Sequence, residues 1–271
     1  VGELRFLWRN GVLGTGSNAR CGCGENHRKC PFWSEVLEEV RPAGLSLERH
    51  AAEVVAWQEQ CRTRHTWRVL RAPPRNGWPE TLAATYRAIA RVSGAEVIVD
   101  GSKYASDAAL LSRMPGIEGR YVHLIRDPRA AAWSWARNKD YTGQRSLLDS
   151  TLHWTGFNLA AEAVGRAHRE DSLHMLYEAV AGSPRAAVDA VLDLLGHGGP
   201  NPVGADGTVE LGGNHTVTGN PNRFGRGRTA IEEDRRWRTA MPGPRRAATT
   251  LLALPLLHRY GYPKGTTWTW D

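Results

Sequence analysis

The chain has 271 residues, 41% of them apolar, with a formal net charge of +7 and four cysteines. That apolar share excludes wholesale disorder. With no secretory signal and no apolar run longer than residues 250–257, it predicts a cytoplasmic protein without a membrane span. The basic balance suits an anionic partner, and four cysteines are too few for a disulfide scaffold, which fits a reducing compartment.

The first thirty residues are irregular, punctuated by Gly2, Gly11, Gly14, Gly16, Gly22 and Gly24. A helix is predicted over residues 34–40, where Ser34 can cap and Glu35 lies in the first turn. Two more follow over residues 48–61 and 79–91, the latter with Trp78, Leu82, Tyr86 and Ile89 at helical spacing. Residues 96–100, Glu-Val-Ile-Val-Asp, are a β-branched run closed by Gly-Ser and predict a buried strand. A helix over 106–114 and a second buried strand over 120–125 would complete a βαβ unit with parallel strands. Beyond a long helix over 147–169, a third strand is predicted at 172–177 and a further helix at 184–195. The polar stretch 198–227 reads as a functional loop or lid, and a last helix spans 244–260. No repeat or linker divides the chain, so a single domain over 1–271 is expected.

The most informative segment is His123-Leu-Ile-Arg-Asp-Pro-Arg-Ala-Ala-Ala-Trp-Ser-Trp135. A strand ends at Ile125, Arg126–Arg129 makes the turn, and a helix begins. Open α/β sheets bind ligands outside the carboxyl ends of their strands, where Arg126 sits. The following helix N-terminus favours an anion, and Ser134 lies about two helical turns further on.

Arg126 and Ser134, with their eight-residue step, resemble the 3′-phosphate-binding strand-turn-helix of bacterial sulfotransferases that use 3′-phosphoadenosine 5′-phosphosulfate (PAPS). Asp100-Gly-Ser-Lys103 is similar to that family's lysine segment, and Leu176-Tyr-Glu178 to its Tyr-Glu strand end. The stretch His215-Thr-Val-Thr-Gly-Asn-Pro-Asn-Arg-Phe224 resembles its covering loop. Val1-Gly-Glu3, the Cys-Gly-Cys-Gly segment and Cys30-Pro-Phe-Trp33 also match. The resemblance implies an α/β fold with a parallel central sheet flanked by helices, in a P-loop NTPase-like arrangement. It also implies PAPS as co-substrate and sulfuryl transfer to a hydroxyl or amine acceptor. One departure is plain: no stretch reads Gly-x-x-x-x-Gly-Lys-Ser/Thr. The family's first strand and phosphosulfate loop are expected to precede Val1.

Sulfuryl transfer needs a base for the acceptor proton and a cation for the leaving phosphate. The resemblance assigns the base to Glu3, since the histidine used by cytosolic animal members is replaced by Ala105, and the cation to Lys103. It marks Arg126, Ser134, Tyr177, Asn220, Arg223 and Arg226 as donor-binding candidates. Eleven tryptophans, Trp133, Trp135 and Trp154 among them, suit an aromatic or hydrophobic small-molecule acceptor as well as a core. The rival readings are a kinase on the same fold and an inactive nucleotide-binding relative. No zinc-finger, helix-turn-helix or aromatic-basic motif supports a nucleic-acid partner. Cys21, Cys23 and Cys30 raise a zinc reading. Cys-x-Cys is tight for a structural site, and the fourth ligand would have to be His27 or Cys61, so no metal is expected.

Overall fold

A computed structural model describes residues 1–16, 18–137 and 143–262. The chain is mixed α/β and 54% helical, arranged in two compact units. One comprises Val1–Gly119 with Glu210–Thr229; the other comprises Arg120–Val209 and the chain from Ala230 onward.

The first unit opens with a 3-10 turn at Leu4–Phe6 and a π-helical turn at Leu7–Val12. Five helices follow: α1 (Pro31–Val40), α2 (Leu47–Gln58), α3 (Thr66–Arg71), α4 (Trp78–Ser93) and α5 (Ala105–Leu111). Helix α4 shows why they form. Its start is set by Pro79 in the first turn and by Asn76 Oδ1, which accepts the Trp78 amide at 3.0 Å; Gly94, left-handed at φ 66°, ends it. Trp78, Leu82, Tyr86 and Ile89, spaced four, four and three apart, are all buried. Burying each such large apolar side chain contributes about 1.5–3 kcal/mol. Beside them lies a buried ion pair. Arg5 Nη1 donates to both carboxylate oxygens of Asp107 at 2.7 Å, and Trp78 Nε1 donates to Asp107 Oδ1 at 2.9 Å. Arg5 Nη2 reaches the Gln58 carbonyl at 2.6 Å, and the guanidinium lies over Tyr104. Burial pushes the Asp107 carboxyl up, and Arg5 opposes that shift.

The strand predicted at 96–100 does not form. This stretch meets no ladder partner among the described residues beyond a single parallel bridge between Asp100 and Gly2, and Val97 and Val99 are exposed. A β-branched run supplies propensity, but a strand also needs a neighbour to take its backbone hydrogen bonds.

In the second unit β1 (Tyr121–Ile125) leads into α6 (Pro128–Ala136) and α7 (Leu147–Ala167), then β2 (Ser172–Leu176), α8 (Tyr177–Gly182) and α9 (Pro184–Leu195). The parallel partner of β1 is therefore β2, with Ile125 opposite Leu176, and not the 96–100 segment. The β1 strand is half-buried rather than enclosed, with Val122 and Leu124 exposed. The predicted loop at 198–227 carries β3 (Thr208–Leu211), which pairs with β4 (Gly227–Ala230), and most of this pair falls in the Glu210–Thr229 stretch of the first unit. In the second unit α10 (Trp237–Ala240) and α11 (Gly243–Arg259) are the last described elements. Helices α6, α7 and α11 pack on one another. Their core gathers Ile125, Trp154, Ala253, Leu256, Leu257 and Tyr262. No described helix is long and apolar enough to cross a membrane.

Candidate functional site

In the second unit, strand register decides which side chains meet. Because Ile125 is paired with Leu176, the next residues, Arg126 and Tyr177, leave the two strands side by side. The Arg126 guanidinium carbon lies 4.7 Å from the centroid of the Tyr177 ring, within cation–π range. Its backbone is fixed by Trp154 Nε1, which donates to the Arg126 carbonyl at 2.9 Å.

The rest of the Arg-Asp-Pro-Arg turn is structural. Asp127 caps α6 by accepting the Arg129 amide at 2.8 Å, and its carboxylate is paired with the equally buried Arg129 guanidinium. Asp127 and Arg129 therefore lock the turn, while Arg126 stays 30% exposed and faces the Asp234 carboxylate at 3.8 Å. The Asp234 amide donates to the Tyr177 hydroxyl at 3.2 Å. A bidentate hydrogen bond from Arg236 holds the Asp234 carboxyl well below the usual range, with Arg126 adding to the effect. Ser134 lies on α6 beyond the turn and is half-buried.

Glu178 follows Tyr177 and is buried. Its Oε1 accepts the Asp127 amide at 3.1 Å, and the Tyr262 hydroxyl lies 2.7 Å from Oε2 and 3.2 Å from the Ile125 carbonyl. Burial pushes the Glu178 carboxyl up, and the Tyr262 hydroxyl and the Asp127 amide, which donate to it, oppose that shift.

The first unit brings Glu3 and Lys103 together as an ion pair across 100 positions of sequence. The tie is Asp100. Its Oδ1 accepts the Ser102 amide at 2.7 Å and the Leu4 amide at 3.3 Å, and Oδ2 accepts the Tyr86 hydroxyl at 2.6 Å. The Gly101 amide donates to the Gly2 carbonyl at 2.6 Å. Gly2 has φ 78°, and a Cβ there would meet the Thr218 carbonyl oxygen at 3.0 Å, so the approach of these segments requires glycine.

The late-loop candidates lie in the same unit. Asn220 precedes the 3-10 turn Pro221–Phe224. Arg223 Nη1 donates to the Gly219 carbonyl at 2.7 Å, and its guanidinium covers Phe224. Arg226 Nη2 donates to the Gly22 carbonyl at 2.9 Å. Both arginines thus fold the loop onto itself and onto the Cys-rich segment. There, Cys21, Cys23, Cys30 and His215 present thiols and a ring nitrogen all within 4.8 Å of one another. Neither of the two ligands anticipated from sequence is in this group. His27 Nδ1 is 2.9 Å from the Ala19 carbonyl, and Cys61 lies by Ser106 and Asp107.

A cavity of about 360 Å³ lies against α6, lined by Trp133, Leu147 and Met241 with Arg145 and Arg245. No protein-family model matches the chain, and no curated protein matches it. The roles of three residues of these sites escaped the sequence reading. Asp234 sits in a mixed-charge run that reads as a solvated face, Asp100 was read as a strand end, and His215 is 185 positions from Cys30.

Proposed function

We propose that the chain is a PAPS-dependent sulfotransferase with a P-loop-like core, acting on a hydroxyl or amine of an aromatic or hydrophobic small molecule. The observation that carries this reading is Arg126. It stands at the carboxyl end of a parallel strand, is stacked on Tyr177 from the neighbouring strand, and remains partly open to solvent. A guanidinium so braced suits a phosphate, which it can grip through a planar fork. Ser134 on the helix that follows is a second donor-binding candidate, and Asn220, Arg223 and Arg226 are candidates in the other unit.

The Glu3–Lys103 pair supports the chemical roles. PAPS supplies a sulfuryl group on a phosphosulfate anhydride. Glu3 takes the proton of the acceptor as its oxygen or nitrogen bonds to sulfur. Lys103 stabilises the electron pair left on the bridging phosphate oxygen as the S–O bond breaks and adenosine 3′,5′-bisphosphate departs. The abundance of tryptophan, eleven in the sequence, supports an aromatic or apolar acceptor.

Calorimetry with adenosine 3′,5′-bisphosphate, adenosine 5′-monophosphate, ATP and short DNA tests the reading. Wild type should prefer the bisphosphate. Arg126→Ala should weaken it by about 2–5 kcal/mol, the loss of a charge-assisted contact, and leave the monophosphate nearly unchanged. Preference for ATP or DNA, or equal losses for both adenosine nucleotides, would overturn it.

A further inference from the structure

We propose that Cys21, Cys23, Cys30 and His215 form a Zn2+ site that fastens the 214–226 loop to the Cys-rich segment. This inference stands independently of the sulfotransferase reading.

The four ligand atoms lie close enough together for one ion to bridge them. His215 Nδ1 lies 3.2 Å from Cys30 Sγ and 3.7 Å from Cys21 Sγ, and all four ligand atoms fall within 4.8 Å of one another. Tetrahedral zinc, with Zn–S near 2.3 Å and Zn–N near 2.0 Å, separates its ligand atoms by roughly 3.5–3.8 Å. No pair therefore has to close by more than roughly 1.3 Å, and Cys30 Sγ and His215 Nδ1 have to part by a few tenths of an ångström.

Each ligand is held by structure of its own. The Gly24 amide donates to the Cys21 carbonyl at 2.8 Å, closing a turn that folds Cys23 back beside Cys21. This answers the objection that Cys-x-Cys is too tight. Cys30 sits directly before α1, with Pro31 at the helix start. His215 is oriented twice: Trp33 Nε1 donates to its carbonyl at 2.7 Å, and Phe32 stacks on its ring at 5.2 Å and 22°. Such supports around a ligand fix its orientation toward an ion. The Gly22 amide donates to the Thr216 carbonyl at 2.9 Å, and a Cβ on Gly22 would lie 1.8 Å from Asn214 Oδ1, so the two segments close here because the residue is glycine.

Three thiolates and one imidazole are a soft set that selects zinc over calcium or magnesium. With four protein ligands no position is left for a reacting water, so the site is closed and structural. Its mechanical effect is local. The Val217 amide donates to the Val1 carbonyl at 3.0 Å, so the clip also holds the loop against the segment that carries Glu3.

The test is elemental analysis of the purified full chain from zinc-supplemented expression, with Co2+ added to chelator-stripped protein as a spectroscopic probe. About one zinc per chain is expected. The Co2+ form should show the intense visible bands of a tetrahedral thiolate site. His215→Ala, at an exposed position, should fold but lose most of the metal and alter the Co2+ spectrum. Chelation of wild type should speed proteolytic cutting within 214–226. A chain with no zinc and no Co2+ bands overturns the proposal, as does a Cys21–Cys30 disulfide in the intact mass. His215→Ala with full metal and an unchanged spectrum also overturns it.

Discussion

Glu3→Gln separates chemistry from architecture, because the structure ties Glu3 to the fold mainly through its backbone. Its carbonyl accepts the Phe6 amide at 3.0 Å, which glutamine preserves. Its side chain pairs with Lys103, and the two side chains are 18% and 69% exposed. A pair so open to water is worth about 0–1 kcal/mol, or a Tm change of no more than roughly 4 °C. A positioned general base supplies ~10²–10⁴-fold in rate, equivalent to about 2.7–5.5 kcal/mol of activation free energy. The two effects therefore differ by several kcal/mol and are read separately. Turnover is measured as bisphosphate release from PAPS against a panel of phenols, alcohols and aromatic amines, and stability by thermal melting. The expected result is a turnover loss of about 10²-fold or more with bisphosphate affinity and Tm nearly intact. Turnover within about threefold of wild type would refute the role of Glu3.

Asp107→Ala leaves the Arg5 guanidinium buried without its carboxylate, and should cost about 3–5 kcal/mol in urea unfolding; a loss below ~1 kcal/mol would show that the pair is dispensable. Glu178 has a raised folded pKa, so the folded chain binds the extra proton. Its stabilising contribution is complete below the ordinary glutamate value of ~4.3 and is lost as pH rises through the folded pKa. Glu178→Gln imitates the protonated acid, so the melting temperature of the variant minus that of wild type should grow from pH 5 to pH 8; a constant difference contradicts this. Asp234 is ionised at every ordinary pH because its pKa is depressed, and it competes with any anion for Arg126. Asp234→Asn should therefore tighten bisphosphate binding by about 2- to 5-fold, the worth of an exposed pair, and weakened binding would count against it.

What the sequence made legible follows from the range of the interactions involved. The α4 helix was readable because its signal is local: apolar residues every three or four positions, Pro at one end and Gly at the other. The β1 turn into α6 was readable for the same reason, although the capping role of Asp127 was seen only in the structure. Residues 96–100 carried the right composition for a strand, but strand formation depends on a partner elsewhere in the chain. The same limit explains the ligand set. Cys21, Cys23 and Cys30 lie within ten positions, whereas His215 arrives through the folding of a distant loop, and no periodicity announces it. Glu3 and Lys103 were named through family resemblance, and it is Asp100, read in sequence only as a strand end and the start of the lysine segment, whose hydrogen bonds bring them into contact.

The first unit is built from two separated stretches, Val1–Gly119 and Glu210–Thr229, and this has a consequence for biosynthesis. An emerging nascent chain ordinarily folds its amino-terminal part first, while the ribosome is still at work. Here Val1–Gly119 must wait through 90 intervening residues, 120 to 209, for the segment that supplies Val217, Thr218 and His215. Until then Trp33 lacks the carbonyl its indole donates to, and Asn10 lacks the Thr218 hydroxyl. Arg120–Val209 leaves the exit tunnel before the first unit can finish, and it must in turn wait for Leu256, Leu257 and Tyr262, so neither unit closes on one continuous stretch of chain. A stop codon placed after Gly119 would release a fragment short of these contacts, and a chaperone that shields half-made surfaces would meet this chain late in its synthesis.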